Sequence, residues 1–558
     1  MKTAILSSLL VTGLIAISAH GVPVAPVPPK PAITGPRNNA RVTVGSFTVS
    51  GATKANSGVV SVQYTINGVG PSTATQLNNK NWNNWQAPLV LTQPGSNLFQ
   101  VWAVGTNGVS LTNSANYFLV VTSPLSITIH GAGTVTPNLN GKELVIGETY
   151  AITAVAGKGQ YFDGWSGSLT ESDPKLKFVM QSNMSLMATF ITNPFTNNNL
   201  AGTYDGLFGI SDDASETNSG YLTLTLTGSG PHAGIFSGQV WVDGTRHSFS
   251  DQRFNADGTA QVTLSRRAQK MGDLLLALTL DLNGASGLTG GVSSGGTNGA
   301  GEFVSSLQAY RTFQHAATRY EGKYTWAMNG AGNGDPTLAP QGYSYGTASV
   351  SATGRARLPI MYLADGTQTT FAGDLDENGY LPLYVHYDTK KSGSGTVIGW
   401  VLFTNAIPTT NYTVSWFKDA DTRSASFTNG FSLTGRAIWL APFKAPGKNT
   451  NALDLTNVDV TLQNADLPTP VNYGISVNGK GVSTNTDNVK LTINNTTGLF
   501  TGSFVDPVTT DTDHIQGAVL ESMQNGFGYF LTVGDTNILS GAVVLTPLIG
   551  VSPSLSTP

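Results

Sequence analysis

From residue 32 onward, apolar and polar side chains alternate with a period of two in short runs, and Gly, Asn or Pro punctuates nearly every run. That period puts one row of side chains on each face of a pleated strand, so it predicts half-buried β-strands joined by tight turns. RVTVGSFTVSG (41–51) and VVSVQYTING (59–68) are two such strands, each ending in a glycine turn. In NWQAPLVLTQPGSNLFQVWAV (84–104) a Pro-Gly turn separates two more, and Phe99, Val101 and Ala103 share a face. With SANYFLVV (114–121), residues 32–122 are predicted to form a two-sheet sandwich.

The next stretch, 123–192, continues the alternation in GAGTVTPN, ETYAITAVA and KLKFVMQSNMSLMATF. It also holds QYFDGWSGSL (160–169), where Tyr161, Phe162 and Trp165 crowd a polar loop. A domain of this size has little core to fill, so its largest rings are expected inside, and Trp165 reads as a core pillar before a sugar platform. NPFTNNN (193–199) reads as a polar linker.

Beyond it the chain repeats itself. Leu200-Ala-Gly-Thr-Tyr204 echoes Tyr320-Glu-Gly-Lys-Tyr324. Asp243-Gly-Thr245 with Phe249 returns as Asp365-Gly-Thr367 with Phe371, and Asn255-Ala-Asp-Gly258 as Asp376-Glu-Asn-Gly379. An offset of about 121 residues predicts tandem β-meanders over 200–318 and 319–445. The match of Gly234-Ile-Phe-Ser-Gly238 with Gly498-Leu-Phe-Thr-Gly502 marks a third block, 446–547, followed by a tail, 548–558. LSRRAQKMGDLLLALTL (264–280) has helical propensity, but its neighbours favour two strands about Met271-Gly-Asp273. Exposed edges must be removed, so the fold class is all-β: a sandwich, a small β unit, then tandem antiparallel β-meander barrels or sandwiches.

Two segments carry family resemblances. Ser50-Gly-Ala52, Val62-Gln-Tyr-Thr-Ile-Asn-Gly68, Trp85 and Pro94-Gly-Ser-Asn97 resemble a bacterial Ig-like domain over 32–122. Gly133-Thr-Val135, Gly147, Tyr161-Phe-Asp-Gly-Trp-Ser-Gly167, Phe178-Val-Met180, Asn183 and Ala188-Thr-Phe190 resemble an internalin-type B repeat, also called a Listeria–Bacteroides repeat. The latter implies a small β unit used as a spacer or adhesive module in surface proteins. The C-terminal part resembles uncharacterised β repeats of exported bacterial proteins, and that resemblance carries no activity.

Composition narrows the setting. Residues 1–21, with Lys2 before the apolar run Ala4–Ala19 and small residues at Ala19 and Gly21, read as a signal peptide. Removing Lys2 with it leaves 28 basic and 33 acidic side chains, a net charge of −5. VPVAPVPPKP (22–31) reads as a semi-rigid spacer. There is no cysteine, so disulfides and thiolate metal sites are excluded. No basic stripe offers nucleic acid a surface, and no later apolar run is expected to span a membrane. The end SPSLSTP lacks the terminal aromatic strand of outer-membrane barrels, which argues against that class.

Candidate chemistry is sparse. Gly342-Tyr-Ser-Tyr-Gly346 fits a nucleophile elbow only by letter, because no helix follows. Asp374-Leu-Asp-Glu-Asn-Gly379 opens like a calcium loop, but its twelfth position is Val385. Ser211-Asp-Asp-Ala-Ser-Glu216 reads as a solvated acidic turn. The seven histidines show no paired ligand spacing, and His386 reads as a packed or solvent-edge residue. No catalytic residue, metal ligand or cofactor is assigned. Aromatics are the best binding signal, and Trp82, Trp326, Trp400 and Trp416 are the candidate ligand-binding residues. The expectation is a secreted or cell-surface protein acting in adhesion or polysaccharide binding, its partners extracellular glycans or surface proteins. The alternatives are a polysaccharide-active enzyme with its site in the C-terminal β region and a purely structural surface or matrix protein.

Overall fold

A chain without cysteines must satisfy its backbone through ladders and fill its cores with side chains, and this one does so with strands throughout. The structure is a computed structural model. It describes residues 30–548 except 55–57, 78–80, 107, 197–199, 212, 229–231, 285–286, 296–302, 314–317, 333, 390–391, 405–411, 485–488 and 534–537. The signal segment, nearly all of the Pro-rich spacer, Asp212 and all but the first residue of the tail lie outside the described residues. Among the described residues there are strands and short 3-10 turns and no α-helix. None is long and apolar enough to cross a membrane as a helix. The chain divides into two compact units, Met1–Ile191 and Thr192–Pro558.

In the first unit, residues 32–119 form two facing sheets. One is built from Ala32–Gly35, Ser46–Ala52, Trp85–Val90 and Thr75–Gln76; the other centres on Gly95–Gly105 between Asn113–Leu119 and Val59–Ile66. Trp85 is fully buried between them. A Cβ on Gly51 would stand 1.9 Å from the Trp85 ring, so the Ser-Gly-Ala stretch owes its glycine to this close approach.

Residues 123–192 form small sheets around a separate core of Phe162, Trp165, Phe178, Phe190 and aliphatic neighbours. Trp165 is 1% exposed, and its Nε1 donates to the Pro174 carbonyl at 3.2 Å. Phe162 meets Trp165 and Phe190 edge-on, each with centroids 5.6 Å apart. The rings of QYFDGWSGSL are the core of this unit.

The second unit contains three barrel-like lobes. In lobe 1, eight antiparallel strands each pair with their chain neighbour, and the first, Gly202–Phe208, also pairs with the last, Phe303–Arg311 (Tyr204↔Arg311, Phe208↔Leu307). The ladder stays open only between Thr245–Arg253 and Thr259–Leu264, across the Asn255–Gly258 turn. Lobe 2 repeats this plan from Gly322–Met328 to Phe431–Pro442, with its seam between Gln368–Asp374 and Tyr380–Thr389, across the Asp376–Gly379 turn. The paired turn motifs therefore fall at equivalent places. Lobe 3 closes seven strands in the same way, Asn457–Asn464 against Ile538–Pro547. The shared Gly-x-Phe-x-Gly lies along the third strand of lobe 1 but the fourth of lobe 3. It marks a local need: a Cβ on Gly238 or Gly502 would meet a neighbouring strand's carbonyl at 2.3 or 2.0 Å.

The lobes are filled by apolar side chains and turn polar ones outward, as in Thr259–Leu264, where Ala260, Val262 and Leu264 are buried and Gln261 and Thr263 exposed. That is the reverse of a lipid-facing barrel. Lobes 2 and 3 share a core: Ala518 and Tyr529 join the lobe 2 cluster, Thr325 Oγ1 donates to the Val519 carbonyl at 2.6 Å, and Tyr345 donates to Gln516 Oε1 at 3.1 Å. Within the expected linker, Phe195 is buried and packs on Phe254 with centroids 6.2 Å apart. Phe195 thus anchors the start of the second unit, which the polar residues around it concealed.

One ion pair lies wholly inside lobe 2. Lys418 Nζ meets Asp365 Oδ2 at 2.7 Å with both side chains fully buried. Removing one partner of such a pair strands the other charge, at a cost of about 3–5 kcal/mol. Asp365→Asn should therefore lower the denaturant midpoint of the second unit sharply. The double variant Asp365→Asn/Lys418→Met should recover a large part of it, and urea unfolding followed by fluorescence measures both.

Candidate functional site

Strand alternation sends Tyr204 and Phe208 of Gly202–Phe208 into lobe 1 and leaves Asp205 and Leu207 on its outer wall. On the next strand, Thr223 and Tyr221 stand beside them (Asp205↔Thr223, Leu207↔Tyr221). In lobe 2 the same rule buries Leu383, Val385 and Tyr387 and turns Tyr384 and His386 outward, with Thr396 and Ile398 on the neighbouring strand. These outer walls face each other. Leu207, Ala214, Ile398 and Phe417 form an apolar seal between the lobes.

Beside the seal lies an open cleft of about 540 Å³. Its walls include Asp205, Tyr221, Thr223 and Trp241 from lobe 1 and Arg355, Phe371, Asp374, Tyr384 and His386 from lobe 2. Tyr221 packs on Trp241 (centroids 5.4 Å apart) and lies nearly parallel to Tyr384 (6.3 Å, 15°), so three half-buried rings make one aromatic platform. The Tyr384 hydroxyl accepts the Gly244 N–H at 3.3 Å, which fixes the ring across the lobes.

Asp205 lies at the buried edge of this platform. Thr223 Oγ1 donates to its Oδ1 at 2.6 Å. Burial pushes its carboxyl up to about 6, against the pull of the Thr223 and Tyr221 hydroxyls. Across the cleft, Arg355 Nη1 meets Asp374 Oδ2 at 2.7 Å, both partly exposed. This pair absorbs the aspartate of the calcium-like motif. The other, Asp376, accepts the Asn378 and Tyr380 N–H groups at 2.8 Å each and is a turn. Ser344 of the elbow-like motif is buried in a strand and accepts the Ala364 N–H at 3.0 Å.

The acidic patch before the second strand corrects the sequence reading. Glu216 is 9% exposed, takes the Thr396 hydroxyl at 2.5 Å and lies 3.3 Å from His386 Nδ1. Glu216 is thus no solvated turn residue, and His386, half-buried at the cleft edge, pairs with it to clasp lobe 1 to lobe 2. The hydrogen bond to Glu216 raises His386 above its ordinary range despite burial. Burial opposes ionisation of Glu216, but its bonds to His386 and Thr396 outweigh it and hold it below the usual carboxylate range. Asp419 is pushed to about 6 by burial and by Glu216, and Asp243 is raised by burial and the same neighbour. The sequence held one signal for this pair, an isolated His among tyrosines on a strand, and no way to join it to an acid 170 residues earlier.

Of the four candidate tryptophans, Trp326 and Trp416 are 1% and 0% exposed inside lobe 2 and present no face to a ligand. Their strands direct them inward, and Trp416 Nε1 is spent on the Tyr387 hydroxyl at 2.9 Å. Trp400 is half-buried and meets Tyr310 and Tyr380 at 5.4 and 6.3 Å. Trp82 is half-buried, with Nε1 donating to the Val60 carbonyl at 3.0 Å. Neither lines the cleft. Trp241, which does, recurs in the sequence with the other tryptophans, and nothing local distinguished it.

A second acidic group lies in lobe 3. Asp466, Asp506 and Asp513 each hold one buried oxygen with no hydrogen-bond partner, and burial raises Asp513 to about 6. Among the described residues no three side chains are arranged to hold a metal ion.

Residues 123–194 match the family model of the divergent InlB B-repeat domain. No curated protein sequence matches the chain. Solved structures similar to it include a transferrin binding protein B double mutant from Haemophilus parasuis, at 8% identity over 92% of this chain and 98% of that one, TM-score 0.18. The isotype 1 transferrin binding protein B from serogroup B Neisseria meningitidis gives 9%, 93%, 78% and 0.15. A DUF4784 family protein from Bacteroides caccae gives 10%, 87%, 95% and 0.12. At these TM-scores the likeness says nothing of what this chain binds. The protein is an all-β, multidomain chain with a B-repeat, of the surface or exported type.

The shifted groups set a pH dependence. Asp205, Asp419 and Asp513 bind protons more tightly folded than unfolded, so each contributes stability that is lost as pH rises from about 4 through about 6. His386, also raised, loses its contribution as pH climbs through its folded value. Glu216, lowered, contributes only above the ordinary carboxylate range. The melting temperature at fixed ionic strength should therefore be highest near pH 4, fall most steeply as pH rises through about 6, and decline further toward pH 8. Asp513→Asn should raise the melting temperature at pH 8, by less at pH 5, and not below about pH 4.

Proposed function

We propose that the protein is a surface or exported glycan-binding adhesin whose recognition site is the cleft between lobes 1 and 2. The carrying observation is the Tyr221–Trp241–Tyr384 platform with Asp205, Arg355, Asp374 and His386 around one open cavity. Sugar rings stack their C–H faces on aromatic rings, and flanking carboxylates, hydroxyls and guanidinium groups fix their hydroxyls. The sandwich and the B-repeat act as spacers that carry the lobes away from the attachment point. Trp400 with Tyr310 and Tyr380, and Trp82 in the sandwich, offer further partial ring faces for extracellular glycans or surface proteins.

A second reading, a polysaccharide-active enzyme, draws on one feature. Asp205 retains its proton near pH 6 in a cleft shared with a second carboxylate, Asp374, and paired acids are the requirement for glycoside hydrolysis. Release of new reducing ends from a bound polysaccharide, abolished in Asp205→Asn, would establish that reading; unchanged glycan length would leave binding.

Screening the full chain on a glycan array and following the hits by calorimetry tests the proposal. Trp241→Ala and Tyr384→Ala should each weaken binding by about threefold to tenfold or more, as expected for one lost ring contact. Trp326→Ala and Trp416→Ala should instead lower stability by about 3–5 kcal/mol. Equal binding by Trp241→Ala and the parent protein would remove the cleft from consideration.

A further inference from the structure

The cleft carries a charge pattern as well as rings. On its lobe 1 side stands Asp205, bonded by Thr223, with Tyr221 beside it. On its lobe 2 side, Asp374 and Arg355 neutralise each other. At the His386 end, Glu216 is matched by His386, and Asp243 and Asp419 lie near the same pair without a salt bridge among the described residues. Arg266, the other cation acting on Asp243, is itself buried and bonded to the Gly272 carbonyl. Counting these groups, five carboxyls stand against three cations, Arg355, Arg266 and His386; Asp205 and Asp374 line the cleft, and Glu216, Asp243 and Asp419 cluster about His386. With the carboxyls ionised the balance is negative, and low-dielectric walls focus the field.

Rings and field select in the same direction. Aromatic faces are the negative ends of their quadrupoles and attract cations over them. A uronic acid or sulfated sugar would meet carboxylates on both walls and find Arg355 already taken. A neutral sugar would gain the stacking and the hydroxyl hydrogen bonds without a charge interaction. A sugar bearing a protonated amine gains the stacking, the ring quadrupole and the carboxylates together.

We propose, resting on the glycan-binding reading, that the cleft selects amino sugars with a free, protonated amine, and that Asp205 and Asp374 are the residues that set this preference. Asp205 ionises more readily once a cation lies against it, so ligand binding releases its proton. The preference should climb as pH passes about 6 and Asp205 becomes ionised. It should fall again as the sugar's amine loses its proton, near the range of an α-amino group at about 7.7. A bell-shaped dependence on pH follows.

The test is calorimetry of the full chain at pH 6.5 against four probes of equal length: chitosan oligosaccharides, their N-acetylated counterparts, cello-oligosaccharides and oligogalacturonate. The expected result is binding of the chitosan oligosaccharide at least tenfold tighter than either neutral probe, with oligogalacturonate weakest. Raising the salt should narrow the gap. Asp205→Asn and Asp374→Asn should each weaken the chitosan oligosaccharide by a larger factor than the two neutral probes, so that most of the preference is lost. Asp374 is partly exposed, so its variant reports even where Asp205→Asn folds poorly. Equal affinity for chitosan and cello-oligosaccharides, or a preference for oligogalacturonate, overturns the selectivity and leaves the glycan site standing. Failure of all four probes to bind overturns both.

Discussion

Backbone hydrogen bonding is the constraint on which this structure depends. Without disulfides, each lobe must pair nearly every strand on both sides, and it does so by bringing its first strand to its last. Closure requires strands to approach closely, and glycines stand at those approaches. At Gly206 a Cβ would lie 2.3 Å from the Gln308 carbonyl of the closing strand, and at Gly528 one would lie 1.9 Å from the Gln516 carbonyl. The abundance of glycine is thus part of how the sheets close, alongside its use in turns.

Closure also fixes where chemistry can occur. A filled barrel has no room for a ligand, so its inward rings, Trp326 and Trp416 among them, belong to packing. Only outer walls remain, and an outer wall is flat until a second lobe is set against it. The cleft exists because two outer walls meet at an apolar seal of Leu207, Ala214, Ile398 and Phe417 and diverge beside it. The Glu216–His386 clasp keeps them in register, which ties the geometry of the site to the protonation of a pair of which His386 itself lines the cleft.

The two units divide labour by their chemistry. The sandwich and the B-repeat each place one tryptophan, Trp85 and Trp165, wholly in a small core, and Trp82 of the sandwich stays half-buried. The lobes have more ring surface than their cores consume, and Tyr221, Trp241, Tyr310, Tyr384 and Trp400 stay half-exposed near the junction of lobes 1 and 2. Half-exposed rings beside carboxyls are suited to ligands that are flat on one side and polar at the rim.

Much of this was legible in the chain. Period-two alternation and Asn-Gly, Asp-Gly and Glu-Asn-Gly turns determine strands and hairpins locally, because side-chain facing and turn geometry are properties of a few consecutive residues. The echo of Asp243-Gly-Thr245 in Asp365-Gly-Thr367 revealed the repeated plan, and the crowding of Tyr161, Phe162 and Trp165 in a small unit foretold its core. Which outward face meets another lobe was not legible. Glu216 reads as a surface acid and His386 as a stray histidine until two lobes bring them to 3.3 Å. Trp241 lies on an outer face, and its place in the cleft likewise depends on lobe 2 standing opposite it. Burial within a strand is set by alternation, but burial of an outer face is set by a partner far away in the chain, and only the tertiary structure supplies it.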